Sequence, residues 1–169
     1  MRTSFVALST VMTVGLPVLA QEPGAPPGIY RSSTDITESL ETAAASSASA
    51  GGWAVRVSPG VSVRRRSSSV PQYAVLHPFS IEIYRILEGS GTLVTGGLLV
   101  SPLAESNNPD IMRSEHGISG GLARPVSAGD VLVLQPGTPH WFRVIDGESV
   151  TYMETRIRIT THPVQFQQR

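Results

Sequence analysis

Cysteine and lysine are both missing from this 169-residue chain, and each absence closes off chemistry. Without cysteine there can be no disulfide, no thiolate zinc site and no thiol nucleophile, so an oxidising compartment is tolerated but not required. Without lysine there is no Schiff-base catalysis and no lysine-bearing phosphate loop. The basic residues are therefore all arginine, 13 of them against 13 acidic residues, and the formal net charge is zero. That balance gives no electrostatic reason to expect nucleic acid as a partner. Long apolar runs are lacking too. The one candidate, Phe5 to Leu16, is broken by Ser9, Thr10, Thr13 and Gly15 and falls short of the roughly 20 apolar residues a membrane-spanning helix needs.

That candidate has a different reading. Met1-Arg2-Thr3 is a short basic start, the apolar stretch follows, and Val18-Leu19-Ala20 offers small aliphatic residues before Gln21. The pattern is that of a cleaved secretory signal over residues 1–20, which predicts a secreted or periplasmic protein with no membrane span after cleavage. Residues 21–50 form a lead-in rich in proline, glycine and alanine. Within it Asp35 and Glu38 suggest a capping box, and Ile36, Leu40, Ala43 and Ala44 make a narrow helical stripe. The barrel domain is expected over residues 51–160, with 161–169 as a tail.

From Trp53 the pattern turns to short alternating runs. Strands are expected at Trp53–Val57, Val61–Arg66, Gln72–His77, Glu82–Leu87, Thr92–Thr95, Leu98–Val100, Val131–Leu134, His140–Val144 and Val150–Ile159. Glycine and proline clusters such as Glu88-Gly89-Ser90-Gly91 and Asp146-Gly147 separate them, while Ser101–Gly121 shows no period and reads as a long loop. Many short strands with almost no helix argue for an all-β sandwich or barrel.

Four histidines are present: His77, His116, His140 and His162. His77 closes one expected strand, Glu82 opens the next and His140 opens a third. Imidazole and carboxylate together suit a divalent first-row metal with coordination positions left over. Side chains alternate along a strand, so Tyr73, Val75 and His77 share a face, as do Glu82, Tyr84 and Ile86, and His140, Phe142 and Val144. If those faces point inward, a carboxylate is buried among aromatic and aliphatic groups, and a metal or a proton must compensate it.

The frame around these residues resembles the cupin family. The first cupin motif runs G-x5-H-x-H-x3,4-E-x6-G, and this chain has His77-x4-Glu82-x6-Gly89. The second runs G-x5-P-x-G-x2-H-x3-N, matched by Gly129, Gly137 and His140 in GDVLVLQPGTPHWF. The family's first histidine falls at Val75, its leading glycine at Ser69, its proline at Gln135 and its closing asparagine at Val144. The resemblance implies an all-β, cupin-type double-stranded β-helix (jelly-roll) barrel with a short N-terminal helix. It implies His77, Glu82 and His140 as metal ligands, and leaves the fourth position to water, substrate or nothing. The ion would be a divalent transition metal: Mn, Fe, Ni or Zn. The partner would be a small molecule met by Tyr73, Tyr84 and Phe142, with Tyr84 or Tyr73 moving protons, in a dioxygenase, isomerase or lyase type of reaction. A non-catalytic module that binds a small ligand or metal is the alternative, and a degenerate barrel without metal is the third reading. The family also makes a homodimer a reasonable expectation.

Two further features have readings of their own. Gly117-Ile118-Ser119-Gly120-Gly121 satisfies G-x-S-x-G but lacks the strand–turn–helix setting of a hydrolase elbow, so a glycine hinge is expected. Arg64-Arg65-Arg66 lies on an expected strand and cannot all share one face. Either a guanidinium reaches the pocket to grip a carboxylate or phosphate, or the charges protect a sheet edge.

Overall fold

A computed structural model describes residues 26–46, 49 and 51–159. The expected signal segment over 1–20, the expected tail over 161–169 and His162 lie outside the described residues. Helix α1 (Ser33–Ser46) is capped three residues before the expected position: the Asp35 N–H donates to Ser32 Oγ at 3.0 Å, so Ser32 is the cap. Its stripe behaves as read. Leu40 is fully buried, and with Ile36 it packs on Val55, Val63, Trp53 and Val57.

Those partners belong to the hairpin of β1 (Trp53–Ser58) and β2 (Val61–Ser67), closed at Pro59-Gly60. After β3 (Ala74–Leu76) come the long strand β4 (Ser80–Thr95), β5 (Leu98–Leu99), β6 (Leu103–Glu105), β7 (Asn108–Ser114), β8 (Ile118–Ser119), β9 (Leu122–Ser127), β10 (Val131–Leu134) and the longest, β11 (His140–Arg158). Every pairing among them is antiparallel. The order β1-β2-β11-β3-β7-β6 forms one path, while β4 pairs with β9, β10 and β11; β5 and β8 form a separate two-stranded ladder. The architecture is all-β and of jelly-roll type with one short helix. Among the described residues no helix is long and apolar enough to cross a membrane.

Two expected strand pairs are each a single bent strand. Glu82–Leu87 and Thr92–Thr95 join as β4, and His140–Val144 and Val150–Ile159 join as β11. The glycine clusters between them mark bulges, not chain reversals. Gly89 has φ +74°, and a Cβ there would sit 2.2 Å from the Ser149 carbonyl oxygen. The backbone of β11 thus approaches Gly89 closely, while the register of the β4–β11 ladder shifts between Asp146 and Thr151. A bulge on both strands bends them at one level and carries each through both halves of the barrel. A second shift, between Phe142 and Val144, breaks the expected face: Val144 is 45% exposed while His140 and Phe142 are buried.

The expected loop Ser101–Gly121 holds β6, β7 and β8. The buried positions of β7 are the polar Asp110 and Ser114, so no apolar alternation announces the strand. Strand β9, also unforeseen, pairs only with β4 and carries Pro125, which an edge position tolerates. Gly117 meets the Trp141 indole: an added Cβ would lie 2.7 Å from the ring. Strand β8 holds Ser119 and is followed by β9, without the helix a hydrolase elbow needs.

The main core gathers Tyr84, Ile86, Leu93, Val126, Leu134, Phe142, Val150 and Tyr152 between the walls. Each large apolar side chain removed from water contributes roughly 1.5–3 kcal/mol before entropy is counted. This core forms the floor beneath the polar residues described next.

Candidate metal centre

His77 sits just past β3, Glu82 near the start of β4 and His140 at the first position of β11. Three separate segments thus bring three side chains together, each no more than 4% exposed. Glu82 Oε1 lies 3.5 Å from His77 Nε2, and Oε2 lies 3.3 Å from His140 Nε2. One ligand atom from each residue fits within a 4.8 Å span.

The tautomers follow from the hydrogen bonds. A carbonyl oxygen only accepts, so His77 Nδ1–H donates to the Asp110 carbonyl at 2.6 Å and His140 Nδ1–H to the Thr138 carbonyl at 3.1 Å. Both imidazoles then turn an Nε2 lone pair toward the same carboxylate. Backbone carbonyls that fix the outer nitrogen are the usual support of metal-ligating histidines. Burial pushes the His77 pKa down to about 2, helped by Arg156 and His140, and burial pushes that of His140 down to about 3. The histidines are therefore neutral at ordinary pH, and their contacts with Glu82 are juxtaposed lone pairs rather than ion pairs. Burial also drives Glu82 up to about 7, against the pull of Arg156.

Arg156 is the residue the sequence reading missed. It stands opposite Glu82 in the β4–β11 register. Its Nε and Nη2 donate to Glu82 Oε1 at 3.0 and 2.8 Å, and Nη2 also donates to His77 Nε2 at 3.1 Å. Tyr84 O–H donates to His140 Nε2 at 3.0 Å. Among the described residues, compensation for the buried carboxylate thus comes from a guanidinium, where the sequence predicts a proton or metal. The signal was the alternation Tyr152, Glu154, Arg156 along one strand face.

The donor set fits a divalent cation. Two imidazoles and a carboxylate, with Nε2–O distances of 3.3–3.5 Å, are the N/O donors such an ion takes. Tyr84 O–H donates to His140 Nε2, and Arg156 donates to Glu82 Oε1 and His77 Nε2, so an ion would displace these contacts. Val75, at the family's missing histidine, is buried beside His77 and opposite His140 in the β3–β11 pair.

Of the aromatic residues expected at a ligand, Tyr84 is fully buried, with its ring 4.7 Å from Tyr152. Phe142 packs on Tyr152 within the core. Tyr73 lies between two guanidiniums, 5.2 Å from Arg66 and 4.6 Å from Arg113. Tyr73, Val75, His77, Tyr84 and Arg156 line a cavity of about 60 Å³. His116 and Glu115 are exposed, away from the trio. Arg64 and Arg66 turn to this cavity, and Arg65 turns away to Thr151. The strand carrying them is interior, between β1 and β11, so the edge-protection reading does not hold.

The antiparallel strands bring both motif segments to one interior point, where His77, Glu82 and His140 meet as the resemblance to the cupin motifs implies. No family model and no curated protein matches the sequence. Solved structures with partial likeness to this chain include DMSP lyase DddQ from Ruegeria pomeroyi DSS-3, at 21% identity and a TM-score of 0.37, covering 64% of this chain and 44% of that one. Procruciferin, an 11S globulin from Brassica napus, is 18% identical with a TM-score of 0.36, covering 61% and 23%. A recombinant oxalate oxidase in complex with glycolate is 21% identical with a TM-score of 0.30, covering 61% and 44%. The chain spans less than half the length of each.

The buried imidazoles set an acid limit on the metal-free protein. Between pH 6.5 and about 3 the unfolded chain binds two histidine protons that the native site refuses, so stability falls as pH falls. Glu82 opposes this between about 7 and 4.5, where the native state holds a proton that the unfolded state lacks. The loss is therefore shallow above pH 4.5, roughly 1 kcal/mol per pH unit for one net proton, and about twice as steep below it. Denaturant midpoints across pH 7 to 3.5 are expected to show this break, and His140→Gln is expected to halve the lower slope.

Proposed function

We propose that this chain is a secreted or periplasmic metal-binding cupin in which His77, Glu82 and His140 hold one divalent transition ion, Mn, Fe, Ni or Zn, and that it acts on a small molecule. The observation that carries the reading is the pair of carbonyl-fixed imidazoles aiming their Nε2 lone pairs at one buried carboxylate. When bound, the ion supplies Lewis-acid polarisation of a substrate oxygen. The chain's own groups do the rest. Tyr84 O–H orients His140 and is placed to give or hold a proton beside it. Arg156 opposes the burial that raises the Glu82 carboxyl, and the apolar floor of Tyr152 and Phe142 excludes water from beneath the site. Tyr73 and Tyr84 would border the substrate, with Phe142 backing them from the core. The reaction class would be dioxygenase, isomerase or lyase.

A non-catalytic binding module is the second reading, and the two part on turnover. Arg156, which already supplies a cation to Glu82 and His77, favours instead a barrel without metal. The shared metal claim is tested by elemental analysis and by calorimetric titration with Mn, Fe, Ni and Zn. One ion per chain is expected in the wild type and in His162→Ala, and less than a tenth of that in His140→Ala. Equal metal content in all three would remove the claim.

A further inference from the structure

We propose that the 60 Å³ cavity beside His77 is an anion subsite in which Arg64, Arg66 and Arg113 take the carboxylate of a small organic acid. This deepens the metal-site reading by naming the ligand's chemistry, although the arginines make the case without a metal.

The charges around the cavity do not close. Arg64, Arg66, Arg113 and Arg156 all line it. Arg64 faces Glu154 at 3.5 Å, Arg156 is shared by Glu82 at 2.8 Å and Glu154 at 3.1 Å, and Arg113 pairs outward with Glu105 at 2.7 Å. Four guanidiniums thus meet three carboxylates. The odd one is Arg66, 6% exposed, whose partners among the described residues are the Tyr152 hydroxyl at 3.1 Å and the face of Tyr73. A guanidinium cannot shed its proton in a protein, and a buried charge without a counter-charge is strongly disfavoured.

Donors are left over as well. Arg64 Nε, Arg66 Nη1 and Arg113 Nε are buried without a hydrogen-bond partner among the described residues. Buried guanidinium N–H groups are rarely left so, and a planar carboxylate is the group their fork matches. The protein already seats one carboxylate among these arginines, that of Glu154 between Arg64 and Arg156. Val75 and Ile111 supply apolar wall, and the volume suits one carboxylate group, with the rest of a short acid reaching out past Tyr73. A second cavity of about 750 Å³ shares Tyr73 and Arg113 with the first, so the acid would come from that side, past the tyrosine.

The test is calorimetric titration of the full chain, as purified and after chelation, with malonate, malonamide and inorganic phosphate at one ionic strength. Malonate is expected to bind one per chain in both preparations. Malonamide is expected not to bind, and phosphate to bind at least tenfold more weakly. Arg66→Met and Arg113→Gln should each weaken malonate at least tenfold, and the exposed Arg85→Met should leave it unchanged. Arg113 is 42% exposed, so its variant remains informative if Arg66→Met fails to fold. The proposal is overturned if malonate does not bind, if malonamide matches it, or if Arg113→Gln keeps full affinity. Phosphate binding as tightly as malonate would overturn the carboxylate assignment. Metal retention without malonate binding sinks this inference alone, and malonate binding without metal retention sinks the metal centre alone.

Discussion

Arg156→Ala is expected to lower the stability of the metal-free protein by about 3 kcal/mol at pH 8, the low end for removing one partner of a buried pair. In melting temperature that is a fall of roughly 10 °C for a domain of this size. The reason lies in what is left behind. Glu82 is 1% exposed, and Arg156 supplies both hydrogen bonds to Oε1. With Arg156 gone, burial drives the Glu82 carboxyl further up from about 7, so a proton replaces the guanidinium as pH falls and the deficit shrinks by pH 6. Glu82→Gln placed in the Arg156→Ala background should recover most of the loss, because the neutral amide has no charge to compensate. The coupling from that double-mutant cycle separates the pair from the packing of the arginine stem. A divalent ion is expected to restore the melting temperature of Arg156→Ala by more than it raises that of the wild type, because it fills the role Arg156 has vacated. Equal melting temperatures with and without Arg156 at pH 8 would show that Glu82 is compensated elsewhere.

That dependence on Arg156 shows where sequence reading stops. His77, Glu82 and His140 are legible because they stand at motif spacing with glycines in the right places. The alternation of Tyr152, Glu154 and Arg156 also shows that these three share a face. Which residue each one faces is set by the register between β4 and β11, and strand alternation carries no register. The same limit explains the fused strands. A Glu-Gly-Ser-Gly cluster signals positive φ, which a chain reversal and a bulge both need. Only the Ser149 carbonyl lying against Gly89 decides for the bulge. Val144 turns outward for a related reason, since the ladder skips one residue beside it and inverts the face that strict alternation assigns. The N-terminal helix was readable in its stripe and misread by three residues in its cap. Ser32 and Asp35 are both competent caps, and the choice rests on which oxygen receives the first free N–H. Arg64 and Arg66 could be assigned to one face, but only the pairing of β2 with β11 turns that face inward.

Asp110→Ala is expected to weaken divalent-metal binding 10- to 100-fold, the usual penalty for disturbing a group that positions a metal ligand. Asp110 touches no proposed ligand through its side chain. Its carboxylate accepts the Phe79 N–H at 2.7 Å and the Ser80 hydroxyl, which ties the turn between His77 and Glu82 to β7. Its own backbone carbonyl then receives the His77 Nδ1–H. One residue thus sets the distance between two proposed ligands and fixes the tautomer of one. Truncation leaves the part-buried Phe79 N–H and the buried Ser80 hydroxyl without their acceptor, which costs about 1–3 kcal/mol of stability. Asp110→Asn keeps an oxygen for that N–H and should retain most of the stability and much of the metal affinity. Calorimetric titration beside chemical denaturation separates the two effects: a variant that loses stability yet binds metal like the wild type would make Asp110 a brace for the fold and nothing more. The residue escapes the sequence reading because a buried aspartate breaks the apolar alternation by which a strand is recognised. The position that ties the site together is the one that hides its strand.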